Sequence, residues 1–87
     1  MATYSVRIKR SATRDLAQIA RQDRERIVDA IDRLGEHPYS GYPLKGGLRG
    51  LRRSRVGDYR VVYELLDDEL VVLVVRVAHR REVYRRH

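Results

Sequence analysis

The chain contains no cysteine, no tryptophan and no phenylalanine, with one methionine and two prolines among 87 residues. Without cysteine there is no disulfide and no thiolate ligand for a metal. Stability has to come from packing, and a reducing cytoplasm suits such a chain. The histidines, His37, His79 and His87, lie far apart, and none pairs with another at metal-ligand spacing, so neither a metal nor another cofactor is expected. A Gly-x-x-x-x-Gly-Lys phosphate cradle is missing, as is a nucleophile elbow. The longest apolar run, Leu70–Val75, is too short to cross a bilayer. Met1–Arg10 alternates polar and apolar residues and does not read as a signal peptide, so no membrane partner is expected.

Negative charge is also in short supply. Nineteen Lys and Arg face twelve Asp and Glu, a formal net charge of +7, and all but Lys9 and Lys45 of the basic residues are arginine. Residues 1–43 carry 8 basic and 6 acidic groups (+2); residues 44–87 carry 11 and 6 (+5). Arginine presents a planar fork of donors that matches phosphate oxygens. A basic excess gathered in one half of a small domain is the electrostatic footprint of a polyanion binder; a need for solubility is the plainer reading of the same charge.

Hydrophobic residues make up 43% of the chain, enough for a modest core in one domain spanning residues 1–87. Tyr4, Val6 and Ile8 alternate with Ser5, Arg7 and Lys9, the period of a half-buried strand. Ser11 is placed to cap a helix whose apolar face holds Ala12, Leu16, Ile19 and Ala20. A second helix starts near Gln22–Asp23, repeats Ile27, Ala30, Ile31 and Leu34, and ends at Gly35 before Pro38. Residues 35–50 read as loop. Three strands are then expected: Leu48–Val56, Tyr59–Leu66 after a Gly57–Asp58 turn, and Leu70–Val77 after Asp67–Asp68. The last is nearly all β-branched and so expected to be buried on both faces. The fold class is α+β. An N-terminal strand and an antiparallel two-helix hairpin precede a three-stranded antiparallel meander in one sheet, β-α-α-β-β-β, with a short helical turn over 80–87.

What this inventory offers for chemistry is arginine and tyrosine on strands. Period-2 geometry sets Arg53 and Arg55 on one face of the first meander strand. On the next strand Arg60 and Val62 share a face, with Val61 and Tyr63 on the other. His79, Arg80, Arg81 and Tyr84 follow the last strand. Cleaving RNA without a metal requires a base for the 2′-hydroxyl, cations for a dianionic phosphorane and an acid for the leaving oxygen. Guanidiniums supply the second. A phenol, with a pKa of about 10, serves as the base only where positive neighbours lower it. Arginines on a sheet face are more often solvated or paired with an acidic partner, and spacing leaves both readings open.

From Tyr4 to Arg86 the chain resembles the RelE/ParE superfamily of bacterial toxin–antitoxin toxins, and the RelE branch in particular. The resemblance runs through the Tyr-x-Val-x-Ile strand, Ala12-Thr-Arg-Asp-Leu16, and Ile27-Val-Asp-Ala-Ile-Asp-Arg-Leu34 with Pro38. Its most specific pieces are Leu44-Lys-Gly46, Arg53-Ser-Arg55-Val-Gly-Asp-Tyr-Arg60-Val-Val-Tyr63 and Val77-Ala-His79-Arg80-Arg-Glu-Val-Tyr84.

The resemblance implies a toxin that enters the A site of the 70S ribosome, cuts the mRNA there without a metal and is neutralised by a cognate antitoxin. It assigns catalysis to Arg53 (phosphorane stabilisation), Arg60 (phosphate ligand), Arg80 (acid or charge stabiliser) and Tyr84 (2′-hydroxyl base or stacking group). Lys45, Arg55, His79 and Arg81 are expected to contact RNA, and His79, next to Arg80, is an alternative acid because its unperturbed pKa is near 6.5. Leu51 departs from the pattern, which has a lysine there. The alternatives are a non-enzymatic ParE-type toxin acting on DNA gyrase and an inactive basic binding module; the fold does not separate them.

Overall fold

The computed structural model describes residues 3–44 and 50–79. Its elements are β1 (Ser5–Ile8), α1 (Arg10–Ala17), α2 (Arg21–Leu34), β2 (Tyr42–Pro43), β3 (Leu51–Val56), β4 (Tyr59–Leu66), a 3-10 turn (Asp67–Glu69) and β5 (Val71–His79). They build one sheet in the order β1-β5-β4-β3-β2. Buried residues of both helices and of β4 and β5 form one cluster: Ala12, Leu16, Ile27, Ile31 and Leu34 pack with Val61, Tyr63, Val72, Val74 and Val77. The helices therefore cover the sheet face that carries the odd-numbered residues of β4. Among the described residues no helix is long and apolar enough to cross a membrane.

The α+β class and the antiparallel meander agree with the sequence reading; several details differ. Among the described residues five strands form, not four. The additional strand β2 is two residues long and lies in the Gly-Tyr-Pro stretch that composition reads as loop. The sheet is mixed, because β1 runs parallel to β5, from Ser5 opposite Val71 to Ile8 opposite Val74. Strand β3 begins at Leu51, and β5 extends to His79 but starts after Leu70. Leu70 has φ 55°, a left-handed conformation that closes the 3-10 turn. The helical turn expected over 80–87 lies outside the described residues.

The helix starts also shift, for a tertiary reason. Helix α1 begins at Arg10 with no side-chain cap. Ser11 Oγ instead donates to the Val75 carbonyl at 2.7 Å. One turn later Asp15 accepts from the Val77 N–H at 2.8 Å and pairs with Arg76 at 2.8 Å. Strand β5 outruns its partner β1, and an unpaired strand edge must find polar partners; α1 supplies an acceptor and a donor four residues apart on one helix face. Gly35 follows α2 with φ −62°, so left-handed freedom is not its purpose. A Cβ there would lie 2.8 Å from the Tyr4 carbonyl oxygen, and the Tyr4 N–H donates to the Gly35 carbonyl at 2.8 Å.

Candidate functional site: an arginine face on the β3–β4 hairpin

The β3–β4 hairpin turns through Gly57 and Asp58, with Val56 opposite Tyr59. Gly57 has φ 59°. A two-residue loop with glycine first is the II′ arrangement, whose twist matches the strands it joins. That turn fixes the register, setting Arg55 opposite Arg60 and Arg53 opposite Val62. A slip of one residue would send each side chain to the other face. In this register Arg53, Arg55 and Arg60 share the face that the helices leave uncovered. Glu64 is the one acidic side chain of β3 and β4 on that face.

The arginines differ in access. Arg55 is exposed, Arg53 is half-buried and Arg60 is 5% exposed. Like charges directly opposite across an antiparallel pair are destabilising. Guanidinium forks suit the oxygens of a phosphate, and Arg53 and Arg55 present theirs on the accessible part of this face.

The remaining expected site residues fare differently. His79 is opposite Tyr59, and the rings meet edge to face with centroids 5.3 Å apart. Its neighbour Ala78 is opposite Arg60. Strand alternation therefore puts His79 on the helix side of the sheet, away from the arginines it was expected to join. There it lines a cleft of about 220 Å³ with Asp23, Arg26, Asp58 and Tyr59. Lys45, Arg80, Arg81 and Tyr84 lie outside the described residues.

Some polar structure around this face carried no signal in the pattern. Arg52 points to the helix side, where its guanidinium donates to the carbonyls of Gly41 at 2.6 Å and Tyr39 at 3.1 Å. It also lies 5.2 Å from the centre of the Tyr39 ring, a cation–π contact. Tyr4 and Tyr39 both donate to Asp67 Oδ1, at 2.6 and 2.8 Å. Accepting first from Tyr4 and then from Tyr39 lowers the Asp67 carboxyl below its ordinary value. Both phenols are raised above theirs, chiefly by the bond to Asp67. Tyr42, on β2 opposite Arg53, is 69% exposed. A Gly-Tyr-Pro tripeptide in a loop gives no sign of such a cross-strand neighbour.

Comparison with known proteins bears on this site. Residues 6–84 match the family described as ParE toxin of the type II toxin–antitoxin system, parDE. The toxin RelG of Mycobacterium tuberculosis is 35% identical over 85 residues, covering 95% of this chain and 98% of that protein. The toxin RelE of the same organism is 36% identical over 84 residues, covering 94% and 87%. Among solved structures, the toxin–antitoxin complex RelBE2 from M. tuberculosis matches with a TM-score of 0.83 at 32% identity, over 91% of this chain and 93% of that one. The archaeal RelE–RelB complex from Pyrococcus horikoshii matches with a TM-score of 0.74 at 26% identity, over 90% and 96%.

Proposed function

This chain belongs to the ParE toxin family of type II toxin–antitoxin systems, with RelE and RelG toxins as its relatives, and we propose that it acts as a ribosome-dependent endoribonuclease that cuts mRNA in the A site. The observation that carries this reading is the common face of Arg53, Arg55 and Arg60, fixed by the hairpin register.

The chemistry needs no metal. A base removes the proton of the 2′-hydroxyl, and the 2′-oxygen forms a bond to phosphorus. The bond from phosphorus to the 5′-oxygen then breaks, and that oxygen takes a proton. The products are a 2′,3′-cyclic phosphate and a free 5′-hydroxyl. Negative charge grows on the phosphorane oxygens along this path, and preorganised guanidiniums are worth most where charge develops. Arg53 and Arg55 are accessible for that task. Arg60, 5% exposed, lies deeper on the same face, and its role as phosphate ligand is carried by the family resemblance. Tyr84 as the base and Arg80 as the acid or charge stabiliser complete the set, on the strength of the family resemblance.

A cognate antitoxin is the expected protein partner, since the solved relatives include complexes with RelB antitoxins. An acidic segment of such a partner would be drawn to the arginine face, with an affinity that falls with salt. The ParE name of the matching family keeps gyrase inhibition as the second reading.

The test is a translation assay on ribosomes programmed with a defined message, with cut ends mapped by primer extension. Wild-type protein is expected to produce A-site cuts. Arg53→Ala should slow them by roughly 10- to 150-fold, the equivalent of losing one charge-assisted hydrogen bond of about 1.5–3 kcal/mol. Arg80→Ala and Tyr84→Phe should lose them. Intact message together with inhibited gyrase supercoiling would overturn the nuclease reading in favour of the second.

A further inference from the structure

We propose that Tyr42 is a stacking platform for an unpaired base of the message, seated beside the guanidinium of Arg53. The proposal rests on the nuclease reading above and adds a residue and a mode of recognition to it.

Three observations lead there. First, Tyr42 is the most exposed of the large apolar side chains among the described residues, at 69%, beyond Tyr39 at 58% and Leu70 at 43%. Second, it does not stand alone. Tyr42 is directly opposite Arg53 in the antiparallel β2–β3 pair. Residues directly opposite share a face, with Cβ atoms about 4.5–5.5 Å apart. The ring therefore belongs to the arginine face, at its β2 edge. A nucleotide carries a flat ring and an anion, and Tyr42 with Arg53 offers a surface for each. Bases of single-stranded RNA commonly stack on aromatic side chains next to a basic groove.

Third, the backbone that presents this ring is held from below by buried groups. The Gly41 N–H donates to the Tyr63 hydroxyl at 3.1 Å, and that hydroxyl donates to the Pro38 carbonyl at 3.0 Å. The Gly41 carbonyl accepts from Arg52 at 2.6 Å. A Cβ on Gly41 would press on the Arg53 carbonyl and lie 2.5 Å from the Tyr63 hydroxyl oxygen, so the segment packs tightly against β3 and β4. On the other side Pro43 fixes its own φ. An exposed aromatic on a pinned backbone loses little conformational freedom when a base lands on it.

The experiment is a cycle of two changes on programmed ribosomes. One is Tyr42→Ala in the toxin. The other is a single abasic nucleotide in the message, moved through the positions flanking the cut. The readout is the toxin concentration giving half-maximal cleavage. On intact message, Tyr42→Ala should raise that concentration about tenfold, within the range for one base–aromatic stack, while the maximal rate holds. Tyr42→Phe should behave as wild type. At one abasic position the wild type should show the same loss, and Tyr42→Ala should add nothing to it.

Unchanged cleavage by Tyr42→Ala overturns the inference and leaves the nuclease reading standing. So does an equal loss on intact and on every abasic message, which would assign the ring to rRNA or protein. Absence of cutting by the wild-type protein overturns the nuclease reading and the inference with it. The exposure of Tyr42 makes the substitution mild for the fold, and an unchanged melting temperature verifies that.

Discussion

Tyr63 shows how one side chain serves two purposes. Its ring is fully buried in the core. Its hydroxyl reaches the rim of the sheet, where it links Gly41 and Pro38. Tyr63→Phe keeps the ring and removes the hydroxyl, leaving the Gly41 N–H and the Pro38 carbonyl to find other partners. A buried group left without its bond costs about 1–3 kcal/mol, and urea unfolding should show that loss with an unchanged slope. Alternation along β4 is enough to assign the ring of Tyr63 to the buried face. The partners of its hydroxyl are 22 and 25 residues away, and no local pattern encodes them. His79 shows the converse. Proximity in sequence to Arg80 suggested a shared site, but the pleat turns His79 to Tyr59 and away from Arg60.

Among the elements, the 3-10 turn Asp67–Glu69 is tied to two distant segments through one carboxylate oxygen. Tyr4 binds it from the residue before β1 and Tyr39 from the loop before β2. Because Asp67 is held below its ordinary value of about 3.9, its contribution to stability is present above that pH and fades as the pH falls through the lowered value. The phenols are raised, so their share is complete below pH of about 10 and is lost only in more alkaline solution. Asp67→Asn should therefore melt below wild type at pH 7, and the gap should close at acid pH beneath the carboxylate range. A gap that persists unchanged at acid pH would show that the ionised carboxylate is not what holds the turn. Asp67–Asp68 is recognisable as a turn from its composition; the two tyrosines that anchor it are not.

Across the whole molecule, a net charge of +7 is divided so that strands β3 and β4 present Arg53, Arg55 and Arg60 on the face without helices. Counterion release makes binding to single-stranded RNA fall with salt, with a slope near −0.7 per phosphate neutralised. The affinity of the protein for a single-stranded RNA, followed by fluorescence anisotropy across a salt series, should show such a slope. Arg53→Ala should reduce its magnitude by about 0.7. An affinity indifferent to salt would mean that phosphates are not what these arginines meet. Arg60 sits deeper than Arg53 and Arg55, which makes the two more accessible arginines the better targets for that measurement.

The α+β class, both helices, the antiparallel meander and the placing of Arg53 and Arg55 on one strand face, with Arg60 beside Val62 on the next, follow from the sequence; that the three arginines share a face follows from the register of the hairpin. Each rests on short-range physics: a period of 3.6 or 2, and a glycine where a tight turn needs positive φ. Tertiary structure alone decided that β1 joins β5 in parallel, that Ser11 and Asp15 serve a strand edge, that Tyr42 meets Arg53 and that His79 parts from the arginines. All of these depend on contacts between segments far apart in the chain. Such contacts are selected by the pairing of strands in the sheet and the demands of unpaired backbone groups, which no local run of residues contains.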